Sequence, residues 1–415
     1  MKILVLNSGS SSQKACLFDL AGALPEAPPS PLWQGKIEWR DNGATLEVRT
    51  SSGANSKQEL PRGERSEATS QLLEALLSGS THVLARLSEI DVVGHRIVNG
   101  GREFTRPTAI TPAVKTAIRK MAAFAPLHNR VELEGIALVE KKCGPVPQVA
   151  VFDTGFHRGL PDAAAIYPGP YEWVEQGIRK FGFHGINHEY CAERAAQLLG
   201  RDLRSLRLVT CHLGNGCSLA AVKDGQSVDT TMGFTPLDGL MMGTRSGAVD
   251  PGILTYLLRD GRTDGKTLDE TLNSKSGLLG ISGLSGDMRE IETAMGDGNE
   301  RARLAFDIFL HRLRAGIGSM LAALDGADAI IFTAGIGENS PEVRAAACRQ
   351  LTFLGLALDS AKNAAPQPDE DIATPKSTVR VLIVRAQEDW AIARECWTLI
   401  SDPQFIRTGP DKFQQ

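Results

Sequence analysis

Histidines are concentrated in one part of the chain, where they could serve a metal or a phosphate group. Six of the eight fall between positions 95 and 212. His184 and His188 stand four positions apart, a spacing that on a helix would suit zinc. Gly185 and Asn187 weaken a helix there, and no HExxH sequence occurs, so zinc is the disfavoured interpretation. Histidines satisfied inside the core, or a cluster that faces phosphate, fit the pattern better.

Two arginines and one acid stand at positions suited to an anionic ligand or a cation. Arg96 ends the apolar run VVGHRIV, where its charge needs either an anionic ligand or an internal carboxylate. Arg245 lies in a Gly/Ser loop and could contact a phosphoryl group bidentately, or it could be a solvated loop arginine. Asp153 follows an apolar strand, where α/β sheets bind ligands. It suits Mg²⁺ or a general base, or it caps a turn.

Glycine-rich turns recur along the chain, which holds 42 glycines. Residues 7–12, followed by Lys14, offer backbone N–H groups and hydroxyls to phosphate oxygens, or they form a hairpin turn. No GxxxxGK[ST] sequence occurs, which excludes a P-loop. Further glycine turns occupy 279–290 and 333–339. With the arginines and acids, these turns predict phosphoryl transfer from a nucleotide by a fold other than the P-loop.

The elements that must position these segments alternate between strand and helix. Apolar and alternating runs predict strands at 2–6, 14–20, 35–40, 45–50, 91–98, 147–153, 206–212, 217–223 and 379–385, with a strand, glycine turn and helix start over 329–339. Helices are predicted over 68–78, from Thr111-Pro112 onward, over 301–325 and over 388–399, and loops over 24–32 and 51–66. The alternation predicts α/β architecture with mostly parallel inner strands. The final helix is expected to pack back on the first half.

The second half repeats the strand–turn–strand pattern of the first. Residues 206–212, a Gly/Asn tip and residues 217–223 follow the first copy by about 205 positions. An internal duplication would give two similar α/β domains that face each other, with a ligand cleft between them.

Composition excludes several classes of protein. The 415 residues carry a net charge of −4, without the basic excess of a nucleic-acid binder. Seven cysteines, an odd number with no CxxC pair, predict free thiols rather than disulfides or a zinc ribbon. There is no signal-peptide apolar region and no apolar run of about 18 residues. We therefore expect a cytoplasmic protein that has neither a nucleic-acid nor a membrane partner.

Several motifs together resemble the acetate kinase family, within the actin-like ATPase superfamily. The matching runs are VLNSGSSSQK (5–14), VGHRIVNGG (93–101), APLHN (125–129), VFDTGFH (151–157), GFHGINH (182–188), HLGNGCSLAAV (212–222), SVDTTMGFTPLDGLMMGTRSG (227–247), SGDMREIE (285–292) and FTAGIGENSPEVR (332–344). They span essentially the whole chain. The resemblance implies a duplicated actin-like α/β fold with two domains around a cleft, at 1–154 plus 388–415 and at 155–387, the second binding the nucleotide. It also implies reversible transfer of the ATP γ-phosphoryl group to acetate, a Mg²⁺ requirement that Mn²⁺ could meet, and a homodimer.

The resemblance also implies roles for individual residues. Those implied for catalysis are Arg96, Asp153, His184, Arg245 and Glu388, with His184 and Arg245 stabilising the transition state, Asn7 and Glu388 binding the metal, and His128 a further active-site histidine. Those implied for the acetate site are Arg96, Val98, Leu127, Phe183 and Pro236. Those implied for the nucleotide are Asn7, Ser10, Ser12, Lys14, His212, Asn215, Gly216, Asp287, Met288, Arg289, Gly335, Ile336, Gly337 and Asn339.

The chain departs from the family pattern at a few positions. Asn99 stands where the family usually has histidine, and Arg130 where it has proline. Ile186 and Asn187 replace Thr-Ser, and Ala386-Gln387 replace Thr-Asn before Glu388. None of these changes removes a residue assigned to chemistry.

The chemistry of the phosphoryl acceptor distinguishes the acetate kinase hypothesis from a sugar kinase. A carboxylate is already ionised at pH 7, so phosphoryl transfer to acetate needs no general base, whereas a sugar hydroxyl does. The open alternatives are a propionate or butyrate kinase, a sugar kinase of the same superfamily, a zinc hydrolase that uses the histidines, and a non-catalytic nucleotide-binding protein.

Overall fold

The computed structural model describes residues 1–9, 12–40, 42–121 and 129–403. Its chain divides into two compact units. Unit 1 comprises Met1–Gly155 and Gln387–Gln415, and unit 2 comprises Phe156–Ala386. Unit 1 is therefore discontinuous in sequence, because its last segment follows the whole of unit 2.

Each unit is built on one mixed β-sheet. The strands of unit 1 are β1 (Lys2–Ser8), β2 (Ser12–Asp19), β3 (Trp33–Arg40), β4 (Gly43–Thr50), β5 (Asn55–Pro61), β6 (Val92–Ile97), β7 (Thr108–Ala109) and β8 (Gln148–Phe152). Those of unit 2 are β9 (Arg207–Leu213), β10 (Cys217–Lys223), β11 (Gln226–Thr230), β12 (Ala329–Thr333), β13 (Glu370–Asp371) and β14 (Arg380–Ile383).

Helices fill the connections between these strands. Those of the segment before unit 2 are α1 (Arg65–Glu74), α2 (Pro112–Met121) and α3 (Asn129–Cys143). Those of unit 2 are α4 (Asp162–Ala165), α5 (Glu172–Glu175), α6 (Gly185–Leu199), α7 (Pro251–Arg259), α8 (Gly265–Ser274), α9 (Gly277–Ser282), α10 (Met288–Gly296), α11 (Glu300–Leu324), α12 (Ala334–Asn339), α13 (Pro341–Cys348) and α14 (Ser360–Ala364). The last helix, α15 (Glu388–Ser401), returns to unit 1.

The two sheets share one topology, which confirms the predicted duplication. In unit 1 the strand order is β5-β4-β3-β2-β1-β6-β8-β7, and in unit 2 it is β11-β10-β9-β12-β14-β13. In each, a first strand pairs with an antiparallel hairpin partner on one side and with parallel strands on the other. The inner strands β1, β6 and β8 are parallel, as are β9, β12 and β14. Their carboxyl ends therefore meet at one edge of each sheet, where α/β folds hold ligands.

Helix α15 packs against β1 and β6 within unit 1, as the sequence predicts. Trp390, Ile392 and Cys396 form its buried face. Gly94 in β6 makes this close approach feasible, since a Cβ at this position would lie 2.6 Å from the Cys396 sulfur and 2.8 Å from an Ile392 methyl carbon. The packing of α15 on the two strands places its first residues beside the carboxyl ends of β1 and β6.

One prediction of local structure is wrong, and another is right in type but not in its bounds. Residues 51–66 are not all loop, because Asn55–Pro61 forms strand β5 beside β4. Only Leu60 in this edge strand is buried, so no apolar alternation marks it in the sequence. The helix predicted at 68–78 is α1, which begins at Arg65 and ends at Glu74. The apolar residues Leu76 and Leu77 belong to the turn that follows it.

The structure confirms the prediction for the cysteines. All seven are buried, and none is in a disulfide. None of the helices in the described ranges is both long and apolar enough to cross a membrane.

We expect Gly94→Ala to lower the free energy of unfolding by about 1–3 kcal/mol, because the added methyl group overpacks the contact between β6 and α15. Gly135→Ala in α3 is the matched control, since a Cβ there meets no described atom within 4 Å. It should raise the same quantity by about 0.5–1 kcal/mol, because alanine loses less backbone entropy on folding. Denaturant unfolding measures both, and equal effects of the two substitutions would contradict the packing argument.

Candidate active site

Asn7, at the end of β1, contacts the first two residues of α15. Its Nδ2 donates to Glu388 Oε2 at 3.1 Å and to Asp389 Oδ1 at 3.0 Å. The Cys16 thiol donates to the other Asp389 oxygen at 3.4 Å, and burial raises the pKa of that thiol well above its usual range. Because carboxylate oxygens accept these hydrogen bonds, the amide nitrogen of Asn7 faces them, and Asn7 Oδ1 takes part in neither contact.

These oxygen atoms fit the requirements of Mg²⁺. The ion prefers hard oxygen ligands and commonly binds through one or two side chains, waters and substrate phosphates. Asn7 Oδ1 takes no part in either recorded hydrogen bond of that side chain, and Glu388 adds carboxylate oxygens. In the described ranges no group of three or more His, Cys, Asp and Glu side chains could hold a metal ion. The donor set therefore suits a cation that is shared with a phosphate ligand.

Arg96 and Asp153 form a buried ion pair at the ends of β6 and β8. Arg96 Nη2 lies 2.7 Å from Asp153 Oδ2, and the Asp153 side chain is fully buried. Burial alone would lower the pKa of Arg96, but the charges of Asp153 and Glu388 raise it, so the guanidinium stays charged. Arg96 thus has an internal carboxylate partner, the second of the alternatives that its sequence position left open. Its buried Nε has no hydrogen-bond partner among the described residues.

Glu132 in α3 is a buried acid that the sequence analysis missed. Its Oε1 accepts the Val98 N–H at 3.0 Å, while Oε2 has no partner among the described residues. Burial raises the pKa of Glu132 to about 8, against the opposing effects of Arg96 and the Val98 N–H. The carboxyl is therefore mostly protonated at neutral pH. Nothing in the sequence marks it, because a glutamate on an amphipathic helix normally faces water.

His184 in unit 2 has a strained backbone. Its φ of 56° is left-handed, a conformation that costs a non-glycine residue about 1–3 kcal/mol and is common at functional sites. Helix α6 begins at the next residue, so the prediction that Gly185 and Asn187 would weaken a helix here is wrong. The fold overrides their low helix propensity, because both residues are buried in packed surroundings. The His184 ring stacks on that of His212, with 4.0 Å between centroids.

His184 and His188 do not form a zinc site, although they stand four positions apart. Both ring nitrogens of His188 are used in hydrogen bonds, to Thr210 and Ser218. Burial lowers the pKa of His188 well below its usual value, so the ring is neutral. His188 is thus one of the satisfied core histidines that the sequence analysis preferred.

Gly216 brings His184 and Arg245 to one point. A Cβ at this position would lie 3.2 Å from His184 Nε2, which is a tight contact, and 3.5 Å from Arg245 Nη1, which is an ordinary van der Waals contact. The same guanidinium nitrogen donates to the Pro236 carbonyl at 3.0 Å. Arg245 is therefore held in place by its own loop.

A cavity of about 710 Å³ in unit 2 is lined by seven of the residues implied for the nucleotide. Its size is within the range of small-ligand sites, about 300–1,000 Å³. The seven are Asn215, Asp287, Met288, Arg289, Gly335, Ile336 and Asn339. Four further lining residues were not predicted, namely Gly214, Gly286, Glu292 and Ser340.

Two local devices shape the walls of this cavity. Asp287 caps α10 by accepting the Arg289 N–H, and its hydrogen bonds with the Arg289 side chain lower its pKa. Ala334 begins α12 with a φ of 65°, and its N–H donates to Glu338 Oε1 at 2.9 Å. That carboxylate therefore holds the strained turn that leads into Gly335.

The remaining predicted residues are spread over both units. In unit 1, Ser12 is partly buried, Lys14 is exposed and Val98 is buried. In unit 2, Phe183 is buried and Pro236 is half-buried, while His212, Gly216 and Gly337 do not line the cavity. Ser10, Leu127 and His128 lie outside the described residues.

The departures from the family pattern are accommodated locally. Asn99 Oδ1 accepts the Gly101 N–H at 2.8 Å, and the exposed Arg130 pairs with Glu134. Asn187 Nδ2 lies 2.9 Å from His212 Nδ1, and the Ala386 N–H donates to Glu338.

The two sheets define a duplicated actin-like ATPase fold, and unit 2 contains the cavity described above. The family model described as the Acetokinase family matches residues 2–394, and the chain belongs to that family. It is 59% identical over 401 residues to an acetate kinase of Gloeobacter violaceus, covering 96% of this chain and 99% of the relative. It is 57% identical over 404 residues to one of Trichormus variabilis, covering 97% and 100%.

Solved structures agree with this membership. The acetate kinase of Porphyromonas gingivalis superposes with a TM-score of 0.87 at 38% identity, covering 96% of this chain and 100% of that one. A propionate kinase from Francisella tularensis gives 0.86 at 36%, covering 95% and 98%. The chain is accordingly an ATP-dependent phosphotransferase with a carboxyl group as acceptor.

We expect Glu132→Gln to remove a pH-dependent loss of stability. The folded-state pKa of about 8 lies above the value of about 4.3 for an exposed glutamate, so the free energy of unfolding falls as pH rises between these values. The melting temperature of the variant minus that of the wild type should therefore increase from pH 5 to pH 8. Glu134→Gln, at an exposed position of the same helix, should show no such gain. A constant difference for Glu132→Gln across this range would contradict the assignment.

Proposed function

We propose that this chain catalyses the reversible, Mg²⁺-dependent transfer of the ATP γ-phosphoryl group to acetate, giving acetyl phosphate and ADP. The observation that carries the proposal is the convergence of His184 Nε2 and Arg245 Nη1 beside Gly216. Gly216 directly follows Asn215, which lines the nucleotide cavity. Two donors beside the cavity suit a phosphoryl group in transfer.

The mechanism requires alignment and charge stabilisation rather than proton abstraction. Acetate is ionised at neutral pH and attacks in line, while charge spreads over three equatorial phosphoryl oxygens. Arg245 offers N–H donors from a loop that already fixes its position, and the strained His184 offers its ring. Preorganised donors of this kind lower the barrier because they need no rearrangement as the charge develops.

Arg96 supplies a site for the acetate carboxylate. Asp153 occupies one side of the guanidinium, while the buried Nε lacks a partner among the described residues. A substrate carboxylate would satisfy that donor. Val98, which is buried two positions further along, would contact the methyl group.

Asn7 and Glu388 would hold the Mg²⁺, for which Mn²⁺ can substitute. When bound, the cation neutralises phosphate charge and orients the phosphates. Glu388 and Asp389 hold the Asn7 amide nitrogen, so Asn7 Oδ1 takes part in neither of these hydrogen bonds. Asp153 stays with Arg96 and orients it.

We also propose a homodimer that works in the cytoplasm. Helix α7 has no buried residue, although Ile253, Tyr256 and Leu258 on it are large and apolar. Exposed large apolar side chains close together on one helix are typical of a contact site. A second copy of the chain is the occupant that family membership supports, and cysteines outside disulfides suit a reducing compartment.

The function is tested by incubating the enzyme with ATP, Mg²⁺ and a short-chain acid, and trapping the acyl phosphate with hydroxylamine. We expect acetyl hydroxamate to form faster than propionyl hydroxamate. An extra methylene changes binding by only about 1–3 kcal/mol, so propionate should be a slower substrate. Faster turnover of propionate would make propionate the substrate and leave the mechanism unchanged. The proposal would be refuted if no short acid gave a product.

Arg245→Ala should lower kcat for acetate by about 10²–10³-fold, the usual effect of losing one preorganised donor. Arg312→Ala, at an exposed position on α11, is the matched control and should keep the wild-type rate. Near-wild-type turnover by Arg245→Ala would remove this residue from the mechanism.

Ile253→Asp should convert the dimer to a monomer, because a charge would be buried in the apolar contact. Leu304→Asp adds the same charge at another exposed leucine, on α11, and should leave the dimer intact. Light scattering after size-exclusion chromatography gives the mass of each. A dimeric Ile253→Asp variant would show that α7 does not form the contact.

A further inference from the structure

His184 is connected to a row of three polar side chains in the core of unit 2. Ser218, His188 and Thr210 are all fully buried. Ser218 Oγ lies 2.8 Å from His184 Nδ1 and also 2.8 Å from His188 Nε2. His188 Nδ1 lies 2.6 Å from Thr210 Oγ1. The row therefore runs without a gap from Thr210 in β9 to the ring of His184.

Two orders of the protons along this row use every hydroxyl proton in a hydrogen bond. A neutral imidazole has one donor and one acceptor nitrogen, and burial keeps His188 neutral. If Thr210 donates to His188 Nδ1, then His188 Nε2–H donates to Ser218 and the Ser218 hydroxyl donates to His184 Nδ1. The proton of a neutral His184 is then on Nε2. In the reverse order every bond is inverted, and Nε2 presents a lone pair.

Thr210 decides between the two orders. Its single hydroxyl proton can go to His188 Nδ1 at 2.6 Å or to the Ala220 carbonyl at 3.4 Å. The 2.6 Å contact is a hydrogen bond in both orders, but in the reverse order His188 donates it and the Thr210 proton is left with the 3.4 Å contact, which is beyond the usual range for an O–H donor. Because Thr210 is fully buried, a poorly bonded proton there is costly, whereas in the first order every buried proton of the row has a partner within 2.8 Å. Burial therefore favours the order in which Thr210 donates to His188.

We propose that Thr210, His188 and Ser218 are positioning residues that fix His184 as the tautomer with its proton on Nε2. This nitrogen is the one that lies beside Gly216 and Arg245. The row thus ensures that His184 donates a hydrogen bond where negative charge develops, rather than repelling it with a lone pair. The inference rests on the proposed function, in which this charge is that of the transferred phosphoryl group.

A second serine–histidine pair in unit 2 supplies a matched control. Ser227, also fully buried, lies 2.8 Å from His157 Nδ1. His157 Nε2 faces the Phe183 carbonyl at 3.1 Å, and only a protonated nitrogen can bond to a carbonyl. The tautomer of His157 is therefore set without Ser227, so removing this hydroxyl deletes a similar hydrogen bond with no effect on the proton position.

The tautomers are read by ¹⁵N NMR of the full-length protein labelled at histidine, with the His184 signals assigned by their loss in His184→Gln. In the wild type we expect His184 Nε2 to carry the proton and Nδ1 to be unprotonated. In Ser218→Ala this preference should be lost, whereas in Ser227→Ala the His184 signals should keep their wild-type pattern. A wild-type His184 with its proton on Nδ1 would overturn the proposal.

Kinetics give an independent measurement on the same variants. Ser218→Ala should lower kcat by about 10- to 100-fold, as is usual when the partner that orients a working histidine is lost, with KM for ATP and for acetate changed less than about twofold. Ser227→Ala should retain wild-type kcat. Equal kcat in the two variants would overturn the positioning role. A wild type that phosphorylates no short acid would instead refute the proposed function, and the NMR result would still decide the tautomer.

Discussion

The hydrogen bonds from the Asn7 amide to Glu388 and Asp389 are the contacts on which the arrangement of unit 1 depends. They join residues 381 and 382 positions apart, the end of the first strand and the start of the last helix. Two carboxylates side by side would repel each other, and one amide nitrogen satisfies both. The same bonds fix the orientation of the Asn7 side chain, which the proposed function uses to hold the metal.

The duplicated topology explains why polar groups gather at the same place in each unit. In unit 1 the ends of β1, β6 and β8 carry Asn7, Arg96 and Asp153, and in unit 2 the end of β9 leads into the turn with Asn215. In unit 1 the buried charge of Asp153 is paired with Arg96, and the buried Glu132 is kept protonated. Unit 2 instead stores backbone strain, at His184 and Ala334. Both solutions hold functional groups still before a ligand arrives.

The sequence predicted the architecture well because the pattern of apolar residues carries it. Strands β1, β6, β8 and β9 are buried apolar runs, and helix α11 is amphipathic over its whole length, so local sequence and fold agree. Strand β5 was missed because an exposed edge strand shows no apolar alternation. Within the site, the residues brought together by glycine turns were predictable from motifs. Glu132, Asp389 and Ser218 were not, because their roles come from partners far away in the chain, which no local pattern reveals.

The discontinuity of unit 1 has a consequence for the order in which the protein is made. Synthesis proceeds from the N-terminus, and domains generally fold as units while the chain is extended. Unit 2 is continuous, so all of its sequence is present before α15 has been translated. The sheet of unit 1 emerges first, yet it lacks the helix that covers β1 and β6 until the whole of unit 2 has been translated. All of unit 2 is therefore translated before the sequence of unit 1 is complete. The apolar surface around Gly94 stays uncovered while unit 2 is being translated.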